Sequence, residues 1–329
     1  MPTLTLAEAG DLVVKTLVRC RTGAENAQSV ARALVAAEAD GLKGHGLSRV
    51  PMYAAQAKIG KVDGFAVPSV TRPKPGLVAV DAAHGFAFPA IEAAEAVLPA
   101  TAREQGVAAA AIRRSHHCGA AGHPVERLAQ AGLVSIMFVN TPSAMAPWGG
   151  SKPVFGTNPV AFACPLPGRP PLVIDLSLSK VARGNIMAAK QRGEKIPEGW
   201  ALDERGQPTT DPDAALRGTM QPAGDAKGTA LALMVELLAA GLTGSNFAAE
   251  ASSYLDAKGP PPGTGQLIVA FDLAAFGGDA IARFGVLAAS IEAQPGARLP
   301  GVRRLKAREN TKAEGVAISD ALMKEIEAA

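Results

Sequence analysis

Aromatic and charged residues are both scarce in this sequence. Phe, Trp and Tyr make up 4% of its 329 residues, and charged residues make up 19%. So few rings argue against a protein that stacks nucleic-acid bases. A net charge of only +3, from 33 basic and 30 acidic residues, argues against a basic nucleic-acid-binding face. Because 48% of the residues are hydrophobic, a disordered chain is also excluded.

Cysteines are few, and long apolar runs are missing. Cys20, Cys118 and Cys164 form no C-x-x-C pair, so neither a disulfide framework nor a structural zinc site is expected. No apolar run approaches the roughly 20 residues that a membrane-spanning helix needs. The first twenty residues have no signal-peptide pattern. We therefore expect a cytoplasmic protein with neither a membrane nor nucleic acid as a partner.

The familiar nucleotide-binding motifs are absent as well. Neither G-x-G-x-x-G after a strand nor a P-loop occurs, and the nearest match, Gly44-His45-Gly46, follows a predicted helix. Apolar runs of strand length begin at Leu77, Val107, Leu133, Val160, Leu172 and Gln266. Helical stretches lie between them, which is typical of an α/β protein. Their irregular spacing, and a polar segment over 178–225, disfavour a regular βαβ array.

Two capping boxes predict the helices at the start of the chain. In Thr5–Glu8 and again in Thr22–Glu25, a hydroxyl residue is followed three positions later by glutamate. Each opens an alanine-rich apolar segment, so we expect helices over about 5–20 and 22–40.

Histidine is rare, and its placement suggests chemistry. Four of the five histidines lie in two glycine-rich loops that also contain arginine: KGHGLSR, with His45, and RRSHHCGAAGH, with His116, His117 and His123. Imidazole can move a proton near neutral pH, and arginine can hold a carboxylate with two hydrogen bonds. Purely structural histidines remain an alternative. We expect no metal site, because adjacent side chains on a strand would face opposite ways.

Three other segments suggest ligand contacts. The turn Gly156-Thr157-Asn158-Pro159 can present amides and a hydroxyl, although it could equally be only a turn. Asp175-Leu176-Ser177 ends a predicted strand and precedes a basic run, which is either a phosphate site or a solvated helix face. Lys227 opens an apolar helix, where its ammonium group and the free amides favour an anion.

Taken together, these segments resemble one family, the type 2 malate/lactate dehydrogenase superfamily of non-Rossmann NAD(P)-dependent oxidoreductases. The resemblance extends over nearly the whole chain. It rests on HGLSR at 45–49, SHHCGAAGH at 115–123, PWGG at 147–150, GTNPVAFACP at 156–165, IDLSLSKVARG at 174–184, IPEGWALDERGQPTTDP at 196–212, AKG at 226–228 and GPPPGTGQL at 259–267.

The resemblance implies an α/β fold with a largely antiparallel nicotinamide-binding sheet and a helical domain formed by the two chain ends. Residues 76–284 would bind the cofactor. Residues 1–75 and 285–329 would form the substrate and dimerisation domain of a homodimer.

The resemblance also implies the roles of individual residues. His45 and His117 match catalytic histidines, on which the branches of the family differ. Arg49 and Thr157 match contacts of a small-molecule carboxylate substrate. Positions that match cofactor contacts are His117, Cys118, Gly119, Ala120, Ala121, Thr141, Asp175, Leu176, Ser177, Arg183, Gly184, Lys227, Arg303 and Arg304.

The sequences of the segments HGLSRVPMY and APWGG are most similar to those of the branch that reduces Δ1-pyrroline-2-carboxylate and Δ1-piperideine-2-carboxylate. We therefore expect an imine reductase that uses NADPH, with NADH possible. A 2-hydroxy acid dehydrogenase of the malate, lactate, sulfolactate or ureidoglycolate type is the alternative, and an inactive cofactor-binding homologue is a third. One residue departs from the pattern: Gly44 stands where the family usually has a serine, which in the imine reductases is thought to relay a proton.

Overall fold

The computed structural model describes residues 2–329, which form twelve strands and eleven α-helices. The strands are β1 (Thr3–Leu4), β2 (Ser69–Lys74), β3 (Leu77–Asp81), β4 (Val107–Ser115), β5 (Leu133–Val139), β6 (Val160–Leu166), β7 (Arg169–Leu176), β8 (Ala201–Leu202), β9 (Pro208–Thr209), β10 (Thr219–Met220), β11 (Thr264–Asp272) and β12 (Val316–Ala317). The helices are α1 (Leu6–Arg19), α2 (Ala24–Ala39), α3 (Val50–Lys58), α4 (Ala87–Gln105), α5 (Gly122–Gln130), α6 (Arg183–Arg192), α7 (Pro212–Arg217), α8 (Asp225–Glu236), α9 (Ala280–Glu292), α10 (Val302–Glu314) and α11 (Asp320–Ala328). None of the helices in residues 2–329 has the length and apolar character needed to cross a membrane.

A seven-stranded sheet with the order β2-β3-β4-β11-β5-β6-β7 lies at the centre of the protein. All neighbouring strands in it run antiparallel except β3 and β4, which are parallel and are joined through α4. A doubly wound dinucleotide-binding sheet would instead be parallel. The expectation of a non-Rossmann, largely antiparallel sheet is therefore confirmed.

All six predicted strands are present, because their sequences are the apolar runs that a sheet covered on both faces requires. β3, β4, β5 and β6 begin at the predicted residues, whereas β7 and β11 begin a few residues earlier. The edge strand β2 was not predicted. All six of its residues are exposed, so it has no apolar pattern by which it could be recognised.

Helices cover both faces of the sheet. On one face, α4 and α5 pack against the strands, with Ile91 and Val125 meeting Ile112 and Met137. On the other face, the buried side of α8 packs against β5 and β11. The sheet is thus a buried scaffold, and its loops are free to carry the functional side chains.

The two ends of the chain come together. β1 pairs with β12, and Val13, Leu34, Tyr53 and Ile326 share one apolar core. In contrast, α9 packs against β6 of the sheet. The predicted domain boundary at residue 285 therefore falls within a helix that lies on the sheet.

One of the two predicted capping boxes is present. Thr5 and Glu8 form reciprocal hydrogen bonds at the start of α1. The capping box at Thr22 is wrong: α2 begins at Ala24 with Gly23 as its N-cap, and no side chain caps it. Thr22 lies one position too early, and its hydroxyl is buried without a hydrogen-bond partner in residues 2–329.

Candidate active site

The loop that carries His45 is held tightly against α2. It forms two short 3-10 turns, Lys43–His45 and Leu47–Arg49, where the sequence predicted no helical structure. A carboxylate oxygen of Glu38 accepts a hydrogen bond from the amide of Leu47 at 2.9 Å. A β-carbon at Gly46 would lie 2.1 Å from this oxygen, so only glycine lets the loop approach. Glycine here serves close packing and fixes the position of His45.

His45 and His117 face each other across the gap between the two predicted loops. Their rings are stacked, with centroids 5.3 Å apart and planes 13° from parallel. Burial, followed by the positive charges of Arg49 and His123, lowers the pKa of His45 to about 4. Burial likewise lowers the pKa of His117 well below its ordinary value. Both rings are therefore neutral at pH 7 in the ligand-free protein.

His116 takes no part in this stack. It is fully buried against Tyr53, Phe86 and Tyr254, and burial lowers its pKa to about 3. Because β4 ends at Ser115, His116 and His117 do not lie on a strand. The prediction of no metal site assumed that adjacent side chains alternate along a strand. That assumption does not apply to these two histidines.

Arg49 lies close enough to the stacked histidines for its charge to act on both. Its Nε donates a hydrogen bond to the carbonyl oxygen of Gly44 at 2.6 Å. Within residues 2–329 the guanidinium makes no ion pair, and it is only partly buried. Its terminal nitrogens are thus available to a carboxylate, and the predicted role of Arg49 in substrate binding stays a prediction.

Thr157 and Thr141 form a second polar corner. The amide of Thr157 donates to Oγ1 of Thr141 at 2.9 Å, and the two hydroxyl oxygens are 3.4 Å apart. The buried carboxylate of Glu236 in α8 accepts hydrogen bonds from Asn140 and Asn158, the residues adjacent to these threonines. Glu236 therefore fixes both turns relative to each other.

Sequence reasoning missed the residues that support the site. Tyr53 and Tyr254, the only two tyrosines in the chain, both contact His117. Tyr53 follows Arg49 by four positions, and that spacing on a helix was the one available indication. Glu236 gave no indication, because it ends the apolar part of α8, about 80 residues beyond Thr157.

A family model described as malate/L-lactate dehydrogenase matches residues 4–327. The chain belongs to this family. It is therefore an oxidoreductase, and the resemblance inferred from the motifs is confirmed.

Individual members of the family are similar over their whole length. The (2R)-3-sulfolactate dehydrogenase (NADP(+)) of Chromohalobacter salexigens is 53% identical over 326 residues, which cover 99% of this chain and 97% of the relative. A Δ1-pyrroline-2-carboxylate/Δ1-piperideine-2-carboxylate reductase of Pseudomonas aeruginosa is 43% identical and covers 98% of both. The crystal structure of a Δ1-piperideine-2-carboxylate reductase from Pseudomonas syringae superposes with a TM-score of 0.94 at 39% identity, covering 100% of this chain and 99% of the other.

The positions that match the family's cofactor contacts lie along neighbouring segments of this fold. The loop 117–121 follows β4, and Asp175 in β7 accepts a hydrogen bond from the amide of Gly122 at 2.7 Å. Ser177 comes just after β7, and the amide of the next residue, Leu178, donates to the carbonyl oxygen of Thr157 at 2.8 Å. The fold thus brings this part of the predicted cofactor site next to the threonine corner.

Two cations near these segments suit a phosphate-bearing ligand. Arg183 begins α6, and its Nε is buried without a partner in residues 2–329. Lys227 lies exposed in the first turn of α8. Neither side chain makes an ion pair within the described residues. The residues present therefore fit a dinucleotide, and Gly184 continues the first turn of α6 beside Arg183.

Arg304 has partners inside the protein. Its guanidinium lies 3.0 Å from Glu126 and 3.5 Å from Asp40, and Arg308 binds the same two carboxylates. Although burial acts to raise it, hydrogen bonds from Arg308 and His123 lower the pKa of Asp40 to about 2. The network anchors α10 to α2 and α5. Arg303 is exposed, so of the two arginines only Arg303 has its charge free in this conformation.

Gly44 is compatible with a side chain. Its φ is not in the left-handed region, and a β-carbon there would meet no atom within 4 Å. Ser48 does not replace the missing serine, because its hydroxyl donates to the carbonyl oxygen of Lys43 at 2.6 Å. The hydroxyl that the family usually supplies next to His45 is therefore absent here.

We expect Gly44→Ser to change the free energy of unfolding by less than about 0.5 kcal/mol, as for other unstrained surface substitutions. If a serine relay assists imine protonation, kcat with a cyclic imine rises several-fold. Thermal unfolding and steady-state kinetics measure the two effects. Gly10→Ser, at another glycine with open space, is the matched control. Unchanged imine turnover in a stable Gly44→Ser protein contradicts a limiting relay.

Proposed function

We propose that this protein catalyses hydride transfer between NADP(H) and C2 of a small carboxylate, with a 2-hydroxy acid on one side of the reaction and a 2-oxo acid on the other. The observation that carries the proposal is the stacked pair of His45 and His117 beside the unpaired guanidinium of Arg49. His45 can exchange a proton, and Arg49 can hold a carboxylate beside it. Such positioning supplies much of the rate in enzymes of this kind.

The roles of the residues follow from their positions. Arg49 holds the substrate carboxylate with its terminal nitrogens. In the reducing direction His45 donates a proton to the oxygen or nitrogen on C2, and in the oxidising direction the neutral ring accepts it. Thr157 and Thr141 would supply hydroxyl contacts to the substrate. The loop 117–121, Asp175 to Ser177, Arg183 and Lys227 would hold the cofactor, whose nicotinamide would supply or take up the hydride.

Of the possible substrates, 3-sulfolactate is best supported. The sulfolactate dehydrogenase is 53% identical to this chain, and the imine reductases compared with it range from 39% to 43%. Gly44 also favours 3-sulfolactate over a cyclic imine, because it lacks the hydroxyl associated with imine protonation. The NADP(+) in the name of that relative also supports NADP(H) over NAD(H).

Cyclic imino acid reduction is the second candidate. It is the function that the sequences of the HGLSRVPMY and APWGG segments predicted. It is supported by the TM-score of 0.94 with the piperideine-2-carboxylate reductase. Both reactions need one group that binds the carboxylate and one proton donor, so the geometry of His45 and Arg49 is equally suited to each.

Absorbance at 340 nm distinguishes the two. The purified protein is tested with NADPH or NADH against sulfopyruvate, oxaloacetate, pyruvate, Δ1-pyrroline-2-carboxylate and Δ1-piperideine-2-carboxylate, and in reverse with 3-sulfolactate. We expect kcat/KM to be highest for sulfopyruvate with NADPH. Higher values for the two imines identify an imine reductase. NADPH binding by fluorescence without turnover of any substrate supports the inactive homologue.

We also propose that the protein is a homodimer that uses an apolar face of α8, which lies in the segment 76–284 and not in the chain ends to which the resemblance assigned dimerisation. Leu231, Leu233 and Met234 are 39–46% exposed there, and Leu237, directly after the helix, is 54% exposed. Between Lys227 and Glu250 the only charged residue is Glu236, which is buried. A face without charge suits a two-fold contact, in which the same patch meets itself.

Replacing Leu233 with aspartate should break this contact, because two carboxylates would be buried close to the symmetry axis. We expect the variant to sediment as a monomer where the wild type sediments as a dimer. Val67→Asp, at a valine that is 82% exposed, is the control and should remain dimeric. A Leu233→Asp protein that is still dimeric places the contact elsewhere.

A further inference from the structure

The fully buried hydroxyl of Tyr53 has a single hydrogen-bond partner in residues 2–329. It lies 2.5 Å from Nδ1 of His117. Tyr53 is in α3, one helical turn after Arg49, and its ring packs among Phe86, Phe88 and His116. It therefore approaches Nδ1 of His117 from the apolar core and leaves Nε2 without a hydrogen-bond partner in residues 2–329.

The direction of this hydrogen bond follows from the partners available. Burial raises the pKa of Tyr53 far above its ordinary value, and burial lowers that of His117, so the pair is a neutral phenol and a neutral imidazole. If Nδ1 donated to the phenol oxygen, the phenolic hydrogen would be buried without an acceptor. A buried unsatisfied donor is costly. With the phenol as donor, both groups are satisfied, and Nδ1 carries no proton.

The second nitrogen of His117 must then carry the proton. Nε2 makes no hydrogen bond within residues 2–329, and the ring is stacked on His45. We propose that Tyr53 is a positioning residue that fixes His117 in the Nε2–H tautomer, so that His117 offers a hydrogen-bond donor to the bound ligand and leaves proton exchange to His45. This proposal rests on the proposed function only for the identity of that ligand.

The assignment separates two histidines that the sequence could not distinguish. In this tautomer Nε2 of His117 has no free lone pair, and the lone pair of Nδ1 accepts the hydrogen bond from the phenol, so neither nitrogen is available to accept a proton from a ligand. His45 has no such constraint, because its ring makes no hydrogen bond within the described residues, and its Nδ1 is buried and unpartnered. The general acid and the fixed donor are thus different residues.

Long-range 1H–15N spectra of the full-length, ligand-free protein labelled with 15N-histidine test the proposal. The signals of His117 are assigned by their loss in His117→Asn. We expect Nε2 protonated and Nδ1 unprotonated in the wild type. Tyr53→Phe should give a mixture of the two tautomers, with kcat about five- to tenfold lower, the typical effect of one neutral hydrogen bond.

Tyr254→Phe is the matched control. Its ring also contacts His117, but its hydroxyl bonds to Thr264. We expect this variant to keep the wild-type tautomer. A protonated Nδ1 in the wild type overturns the proposal, as does an unchanged tautomer in Tyr53→Phe. If Tyr53→Phe does not fold, a coupling across the hydrogen bond from the phenolic proton to Nδ1 in the wild type decides the donor. The spectra need no turnover, so they stand whichever substrate proves correct.

Discussion

Replacement of His45 by asparagine should lower kcat by on the order of 10²–10⁴, the usual contribution of a general acid. The reason is local. His45 is the ring beside Arg49 that is not committed to another hydrogen bond, so its loss removes the proton donor and leaves the carboxylate grip in place. The affinity for NADPH should change little. Steady-state kinetics and a fluorescence titration of NADPH measure the two effects.

His84→Asn is the matched control, because it removes a histidine whose charged neighbours are Arg114 and Asp81. The φ of His84 is 62°, a conformation that asparagine tolerates well. We expect this variant to keep wild-type kcat. If His45→Asn turns over like the wild type and His117→Asn is inactive, the acid is His117.

The fold was predictable to the extent that burial leaves a pattern in the sequence. β5 and β11 are buried on both faces and appear as apolar runs. Strand β2 and helix α10 are not core elements: every residue of β2 is exposed and no residue of α10 is buried. α10 is held by the charges of Arg304 and Arg308, and the sequence does not show which carboxylates they meet.

The candidate site was predictable where glycine and histidine coincide. Loops that must approach a ligand or a helix closely need glycine, and this placed His45 and His117 in functional segments. The sequence could not show that their rings stack, nor that Tyr53 and Glu236 support them. These contacts join residues that are tens to about one hundred positions apart, and no local periodicity encodes them.

Arg49→Lys should raise KM for the carboxylate substrate by about 10- to 100-fold. Hydrogen bonds to charged groups contribute roughly 1.5–3 kcal/mol, and lysine replaces a planar fork with a single point charge. The hydrogen bond from Nε of Arg49 to Gly44 is also lost, which loosens the loop. Arg72→Lys, at an arginine that pairs with Glu104 on the surface, is the control and should keep the wild-type KM. A large fall in kcat with unchanged KM would contradict a carboxylate-binding role.

The charge of Arg49 also links substrate binding to the protonation of His45. In the free protein, burial and then Arg49 keep the pKa of His45 near 4, so the protonated acid, and with it kcat/KM for reduction, declines as the pH rises above that value. A carboxylate bound to Arg49 offsets the positive charge and raises the pKa of His45 in the complex. We therefore expect kcat to persist to higher pH than kcat/KM.

In Arg49→Met the positive charge is absent from the free protein, so the pKa of His45 should rise there and kcat/KM should persist to higher pH than in the wild type. Arg49→Lys keeps the charge and should keep the separation. Profiles of both parameters for the wild type and the two variants, measured in the reducing direction, test this link. Wild-type profiles that coincide would show that the substrate carboxylate does not bind beside His45, because a carboxylate at that distance must shift the proton equilibrium of the ring.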